Sequence, residues 1–257
     1  MDFNEVILLK QGEIILKGQN RRSFESKLLA DIRSRLESFG EFEITSAQST
    51  IYLTPTRPGC DLDGVVEAMS RVFGIAAIAR AVESPKDTDS IVEIAKLYLR
   101  EPMERVQSFK VETKRADKRF PLTSIELSQL LGGHLHDKYP GVKVDVHNPE
   151  FTVNLEVRES AAYIHGPSTP GAGGLPLGAG GRAVTLISGG IDSPVSSYMI
   201  AKRGARLIPV HFHSFPYTSE LAREKVISLT RQLSRWCGPL TLEVVPFTRI
   251  QEAISKS

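Results

Sequence analysis

The chain has 257 residues, of which 41% are hydrophobic and 24% charged, a composition typical of a folded globular protein. Its net charge of +2 does not by itself indicate a nucleic-acid binder, and two cysteines are too few for a disulfide framework. The histidines and cysteines show no metal-ligand spacing, and the N-terminal residues resemble neither a signal peptide nor a membrane span. We therefore expect a cytoplasmic protein that has no membrane partner.

The first part of the chain predicts a small α+β domain. Alternating and helical apolar patterns give a strand, a helix, two strands, a helix and a strand, over residues 5–10, 23–40, 41–45, 50–54, 62–73 and 75–82. This β-α-β-β order is typical of a ferredoxin-like domain.

The middle of the chain predicts a separate α/β module. Its pattern gives a helix, a strand, a helix and two strands, over residues 89–100, 108–113, 124–138, 151–158 and 161–166. A basic run, KRADKR, follows the first of these strands. Such a cluster is typical of a polyanion-binding surface, and the alternative is a merely solvated face.

A segment rich in glycine and proline separates this module from the rest. Residues 166–182 read GPSTPGAGGLPLGAGGR, which indicates an interdomain linker. Beyond it, strands and helices alternate over 183–188, 194–204, 206–213, 219–238, 241–247 and 248–257. Regular alternation with apolar strands predicts a parallel sheet covered on both faces.

The most specific chemical signal lies where the first of these strands meets its helix. Residues 188–194 read SGGIDSP, and the backbone N–H groups of Gly189 and Gly190 can surround phosphate oxygens. Ser193 is the predicted helix N-cap, and a helix N-terminus attracts anions. Asp192 would repel phosphate, so we interpret it as a ligand of Mg²⁺ that bridges to the phosphates. The alternative is a plain strand–turn–helix junction.

This loop resembles the PP-loop of the N-type ATP pyrophosphatases rather than a Walker or Rossmann loop. Its longer form, SGGIDSPV, is similar to that of the tRNA 4-thiouridine synthetase (tRNA sulfurtransferase) family. Two further stretches point to the same family. Residues 10–25, KQGEIILKGQNRRSFE, resemble its N-terminal signature, and residues 109–121, FKVETKRADKRFP, resemble its RNA-binding THUMP domain.

The resemblance implies a mixed α/β and α+β architecture. We expect an N-terminal ferredoxin-like domain over 1–60, a THUMP domain over 61–166 and the linker over 167–182. Residues 183–257 would form a partial parallel-sheet PP-loop domain of the adenine nucleotide α-hydrolase type. Because only three strands of that sheet are predicted, we expect the sequence to be truncated at its C-terminus.

The resemblance also implies an activity and its cofactors. Family members use ATP to adenylate the 4-oxygen of a tRNA uridine, which a persulfide sulfur then replaces. ATP and Mg²⁺ are the implied cofactors, and tRNA, a cysteine desulfurase or other persulfide donor and a second copy of the chain are the implied partners. Sulfur supply for the thiazole of thiamine is a further implied role. The implied ATP-binding residues are Leu186, Ile187, Ser188, Gly189, Gly190, Asp192, Ser193, His211 and Phe212, with Asp192 also catalytic. Of these, the family resemblance implies that Leu186, Ile187, His211 and Phe212 line the adenosine pocket.

Phosphates of the RNA should be held by exposed cations. The candidates are Lys114, Arg115, Lys118 and Arg119, followed by Lys17, Arg21 and Arg22.

The two cysteines depart from the family pattern. Cys60 lies at a predicted domain boundary and Cys237 ends an amphipathic helix, and neither matches the persulfide-carrying position of the family. Two alternatives therefore stay open. One is a tRNA-binding protein whose nucleotide domain is catalytically incompetent. The other is a different adenylating PP-loop enzyme, although the chain shows no glutaminase nucleophile at its second residue, Asp2.

Overall fold

The computed structural model describes residues 3–256, with the backbone alone for Lys17 and Gln19. The strands are β1 (Glu5–Gln11), β2 (Phe42–Ala47), β3 (Thr50–Pro55), β4 (Ile75–Ser84), β5 (Ser108–Arg115), β6 (Lys143–Val144), β7 (Phe151–Val157), β8 (Ala162–His165), β9 (Thr169–Pro170), β10 (Arg182–Leu186), β11 (Arg206–His213) and β12 (Glu243–Pro246). The α-helices are α1 (Arg21–Leu36), α2 (Leu62–Ser70), α3 (Thr88–Tyr98), α4 (Arg100–Met103), α5 (Ser124–Lys138), α6 (Asp192–Lys202), α7 (Glu220–Cys237) and α8 (Thr248–Lys256). A 3-10 segment over Glu13–Asn20 precedes α1. None of the helices within residues 3–256 is long and apolar enough to cross a membrane.

The chain divides into two compact units that do not follow the sequence in blocks. The first contains residues 1–10, 39–66 and 77–170, and the second contains 11–38, 67–76 and 171–257. The predicted boundaries at residues 60, 166 and 182 follow the sequence alone and stay a prediction.

A single nine-stranded sheet forms the frame of the first unit. Eight strands follow the order β2-β3-β1-β4-β8-β7-β5-β6, and β9 pairs with β4. The hairpin β2–β3 is antiparallel, whereas β5 and β7 are parallel with Val111 opposite Val153. The apolar faces of α3 and α5 pack with Phe109 and Leu155 in a shared core, because burying these side chains removes apolar area from water. Thr123 and Glu126 form a capping box that starts α5 where the sequence predicts it.

A parallel sheet of three strands, in the order β10-β11-β12, lies in the second unit. Helices α6 and α7 both pack on the face that carries Ile187 and Leu207. The opposite face is open, since Val184 and Leu186 are 64% and 61% exposed. The expectation of a sheet covered on both faces is therefore wrong for the residues the structure describes, because both of the packed helices lie on one side.

The glycine-rich segment contains one short strand that the sequence does not predict. Thr169 of β9 pairs with Ile78 of β4 in the first unit. In the second unit Gly174 has a φ of +73°, and its Cα lies so close to the carbonyl oxygen of Lys202 that a side chain would clash. The N–H of Leu175 donates to that same carbonyl at 2.9 Å.

Candidate functional site

The SGGIDS loop connects β10 to α6 in the second unit. The helix begins at Asp192 with Ile191 in the N-cap position, so Ser193 is not the cap that the sequence predicts. Its hydroxyl instead accepts a hydrogen bond from the N–H of Ser188 at 3.0 Å and lies 3.3 Å from the Ser188 hydroxyl. This difference arises because Ser193 lies within the first helical turn and faces back toward the end of the strand. Its side chain thereby fixes the two ends of the loop together.

Two backbone donors of the loop are free for a ligand. None of the hydrogen bonds among the described residues uses the N–H of Gly189 or of Ile191. The N–H of Gly190 makes only a long contact of 3.4 Å with the Ser188 hydroxyl. Donors of this kind at the start of an 11-residue helix favour an anion through their N–H groups and the helix dipole.

Asp192 is the acidic residue of the loop and lies exposed in the first turn of α6. No cluster of three or more His, Cys, Asp or Glu side chains that could hold a metal occurs among residues 3–256. Magnesium in nucleotide sites is commonly held by one or two carboxylates together with the phosphates of the substrate. A single exposed carboxylate beside free N–H donors fits that donor set.

The four residues expected to bind adenosine come together where β10 and β11 end. Leu186 pairs with Val210, which places Ile187 beside His211. Ile187 is buried, its N–H donates to the Val210 carbonyl at 2.8 Å, and its own carbonyl accepts from Nδ1 of His211 at 3.0 Å. Because a carbonyl can only accept, that hydrogen bond requires the proton on Nδ1. The side chains of Ile187 and His211 are therefore buried against the sheet and engaged within it.

The other two residues of the adenosine set lie on the open face. Leu186 is 61% exposed and Phe212 is 44% exposed, and the Phe212 ring contacts Phe247 with 5.3 Å between ring centroids. Exposed apolar side chains beside a loop of free N–H donors suit a base at one end and phosphates at the other.

Lys225 of α7 is a neighbour of the loop that the sequence does not reveal. A methyl group placed on Gly189 would lie 3.6 Å from Cδ of Lys225. The loop and this lysine are 36 positions apart, and the packing of α7 beside α6 brings them together. No local pattern in an amphipathic helix distinguishes such a lysine from any other surface lysine.

The basic residues of the KRADKR run differ in how they are engaged. Arg115 donates from Nη1 to the carbonyls of Phe120 and Leu122 at 2.9 and 3.1 Å, and Arg119 pairs with Asp117 at 3.1 Å. Those two guanidinium groups hold their own loop in place.

Two lysines of the same run remain available to a ligand. Lys114 and Lys118 are exposed, and neither has a carboxylate within 4.0 Å among the described residues. Phe120, which follows the run, is 6% exposed and packs in the core of the first unit.

The basic cluster of the N-terminal signature is described only in part. The side chain of Lys17 lies outside the described part of the chain. Arg21 pairs with Glu25 at 2.8 Å, and Arg22 is exposed. Lys10, which belongs to the same cluster in the sequence, pairs with the buried Glu156 at 2.6 Å.

The surroundings of the two cysteines differ, and those of Cys237 are not typical of a reactive thiol. Cys237 is 9% exposed, and burial raises the pKa of its thiol to about 11. Cys60 is half-buried in the first unit, and its sulfur contacts the carbonyls of Arg57 and Glu41 at 3.4 and 3.6 Å. A thiol is nucleophilic only as the thiolate, so the raised pKa of Cys237 disfavours attack.

Three domain families match the chain in sequence order. Residues 6–79 match the ThiI ferredoxin-like domain, residues 85–165 match the THUMP domain, and residues 178–257 match the family described as thiamine biosynthesis protein (ThiI).

Curated relatives that are similar in sequence share the same name. The chain is 44% identical over 256 residues to a "Probable tRNA sulfurtransferase" of Acetivibrio thermocellus, covering 99% of this chain and 65% of that protein. It is 43% identical to the protein of the same name from Moorella thermoacetica, covering 98% of this chain and 63% of the relative. The chain thus spans somewhat less than two thirds of the length of these relatives.

Solved structures agree with the fold. A 4-thiouridine synthetase in complex with RNA and with bound ATP superposes with a TM-score of 0.86 at 32% identity, over 99% of this chain and 65% of that one. The structure of PH1313 from Pyrococcus horikoshii superposes with a TM-score of 0.80 at 27% identity, over 98% of this chain and 83% of that one.

Proposed function

Because this chain belongs to the tRNA 4-thiouridine synthetase (tRNA sulfurtransferase) family, we propose that it carries the ATP- and tRNA-binding parts of an enzyme that makes 4-thiouridine in tRNA. In the proposed reaction the 4-oxygen of a uridine attacks the α-phosphate of ATP and pyrophosphate leaves. The outer sulfur of a persulfide then displaces AMP from C4 of the base. A second thiol of the donor cleaves the remaining S–S bond, which forms a disulfide with the carrier cysteine and leaves 4-thiouridine. The geometry of the SGGIDS loop is the observation that carries this proposal.

The loop supplies what a pyrophosphate leaving group requires. The unpaired N–H groups of Gly189 and Ile191 would hold phosphate oxygens, and the N-terminus of α6 adds the positive end of its dipole. These groups stabilise the charge that builds on pyrophosphate as the bond to the α-phosphate breaks. Asp192 would hold Mg²⁺, which neutralises phosphate charge when bound. Leu186 and Phe212 would contact the base of the nucleotide.

The RNA side of the proposal depends on charge. Lys114 and Lys118 are the cations of the KRADKR run that are free to contact phosphates, and Arg22 is exposed in the second unit. Sequence-independent phosphate contacts from lysine suit a domain that reads the shape of a folded RNA. The related 4-thiouridine synthetase, which binds RNA and ATP together, supports this assignment.

Cys237 is not the sulfur carrier in this proposal. The raised pKa of Cys237 makes it a poor persulfide carrier, so a separate donor, such as a cysteine desulfurase, delivers the sulfur in this proposal. Assembly as a homodimer, a cytoplasmic location and a second role in forming the thiazole of thiamine belong to the same proposal and rest on the family alone.

Substitution of Asp192 tests the assignment. In the natural protein, Asp192→Ala should abolish tRNA-dependent pyrophosphate release, because the carboxylate that holds the metal is lost. The affinity for tRNA should stay within about twofold, since the loop makes no RNA phosphate contact in this scheme. Pyrophosphate release and filter binding of tRNA are measured on the same preparations. Undiminished release, or a large loss of tRNA affinity, would contradict the proposal. Glu252→Ala, which removes a half-buried carboxylate on α8, serves as the control.

A further inference from the structure

The side chain of Lys225 lies beside Gly189 of the loop. It is the sixth residue of α7, and its Cδ lies 3.6 Å from the position that a Cβ on Gly189 would occupy. The ammonium is two bonds beyond Cδ. An anion bound to the N–H of Gly189 therefore lies within reach of this group.

Nothing in the described part of the chain neutralises this ammonium. No carboxylate lies within 4.0 Å of it, whereas the neighbouring Arg223 pairs with Glu220 at 3.3 Å. The side chains one turn before and after it on α7, Leu221 and Leu229, are apolar. A lysine that has apolar neighbours and extends its alkyl chain over a glycine loop presents its charge to whatever that loop binds.

The other cations of α6 and α7 lack this placement. Lys202 and Arg203 lie at the C-terminal end of α6, and Arg203 pairs with Glu13 at 3.0 Å. Arg231 is exposed and lies six residues further along α7, which is about 9 Å along the helix axis. Only the position of Lys225 combines proximity to the loop with a free charge among these residues.

We propose that Lys225 binds the pyrophosphate portion of ATP, clamping it against the N–H groups of Gly189 and Ile191. This inference rests on the proposed function, because it takes ATP as the ligand of the loop. A lysine ammonium acts as a compact point charge toward phosphate, and a charge-assisted hydrogen bond of this kind is stronger than one between neutral groups. Lys225 would bind ATP and pyrophosphate more strongly than AMP, which lacks the two outer phosphates.

The test compares three ligands on variants of one residue. Lys225→Met keeps an unbranched chain and removes the charge, Lys225→Arg keeps the charge, and Arg231→Met is the matched control on the same helix. Calorimetric titration with ATP, pyrophosphate and AMP, each with Mg²⁺, gives the dissociation constants. We expect Lys225→Met to weaken ATP and pyrophosphate binding by at least about tenfold and AMP binding by less than about twofold. Lys225→Arg should retain most of the affinity for ATP and pyrophosphate, and Arg231→Met should bind all three ligands as the parent chain does.

Two results would overturn the assignment. Unchanged ATP affinity in Lys225→Met shows that the ammonium does not contact the phosphates. An equal loss for ATP and AMP, without rescue by arginine, shows that the lysine supports the loop and not the outer phosphates. A parent chain that binds no ATP refutes the proposed function itself, which is a separate outcome. Thermal unfolding of each variant identifies any general loss of structure.

Discussion

The fold of the loop does not require glycine at Gly189 or Gly190. Neither has a positive φ, so the backbone at both positions is accessible to other amino acids. A methyl group on either would meet its nearest neighbour at 3.6 Å, which is ordinary van der Waals contact. The chain therefore has room for side chains here and leaves that room open. This is the condition under which a phosphate can approach backbone N–H groups closely.

The raised pKa of Cys237 predicts slow alkylation. Below about pH 11 its thiol is mostly protonated in the folded chain, whereas an exposed cysteine of pKa about 8.5 is partly ionised at pH 8. Iodoacetamide at pH 8 should modify native Cys237 at least about 100-fold more slowly than the same residue in urea, and the native rate should rise as pH increases. Peptide mass spectrometry follows Cys237 and Cys60 in one sample. Equal rates for native and unfolded Cys237 would show that its thiol is accessible and ionised.

At the level of elements, the basic residues of the KRADKR run are expected to have two different roles, one in stability and one in RNA binding. Arg115→Met removes the donor to two carbonyls and should lower the free energy of unfolding by about 1–3 kcal/mol. Lys118→Met removes an exposed charge with no described partner, so it should leave stability unchanged and weaken RNA binding. Urea unfolding and RNA titration of both variants check this contrast. A destabilised Lys118→Met or a fully stable Arg115→Met would reverse the assignments.

Element identity was largely predictable because the apolar periodicity is strong. The predicted helix over 124–138 has the same bounds as α5, and the predicted strand over 206–213 has the same bounds as β11. The start of α6 was not predictable in the same way. Serine favours the N-cap in general, but here its hydroxyl bonds to Ser188, a contact that depends on how the loop folds back.

The division of the molecule into two units that are discontinuous in sequence was the feature that the sequence predicted least well. Helix α1 follows β1 in sequence, yet it belongs to the unit that contains the SGGIDS loop. Within that unit Arg35 donates to the carbonyls of Arg235 and Trp236 at the end of α7, at 3.0 and 2.7 Å. These contacts join residues 200 positions apart. Local pattern carries no information about them, which is also why the placement of Lys225 could not be predicted.

Charge is also distributed unevenly over the whole molecule. Lys and Arg outnumber Asp and Glu by 10 to 5 in residues 167–257, whereas acidic residues prevail by 17 to 14 in residues 61–166. The net charge of +2 is thus the sum over a basic C-terminal segment, a slightly acidic middle segment that has exposed lysines at one place, and a neutral N-terminal segment. In the proposed function, residues 167–257 bind ATP and the exposed lysines within residues 61–166 bind RNA.

Separate titrations of the chain with ATP and with tRNA test most directly whether the two ligands bind at separate sites. Gly190→Ala should remain folded, lose at least about tenfold in ATP affinity and keep its tRNA affinity within about twofold, because the methyl group occupies the phosphate space. The double variant Lys114→Gln and Lys118→Gln should do the opposite, and its tRNA affinity should depend less steeply on salt, by about one unit of slope for each lysine. Variants that lose ATP affinity and tRNA affinity to the same extent, or a parent chain that binds neither ATP nor tRNA, would contradict the account.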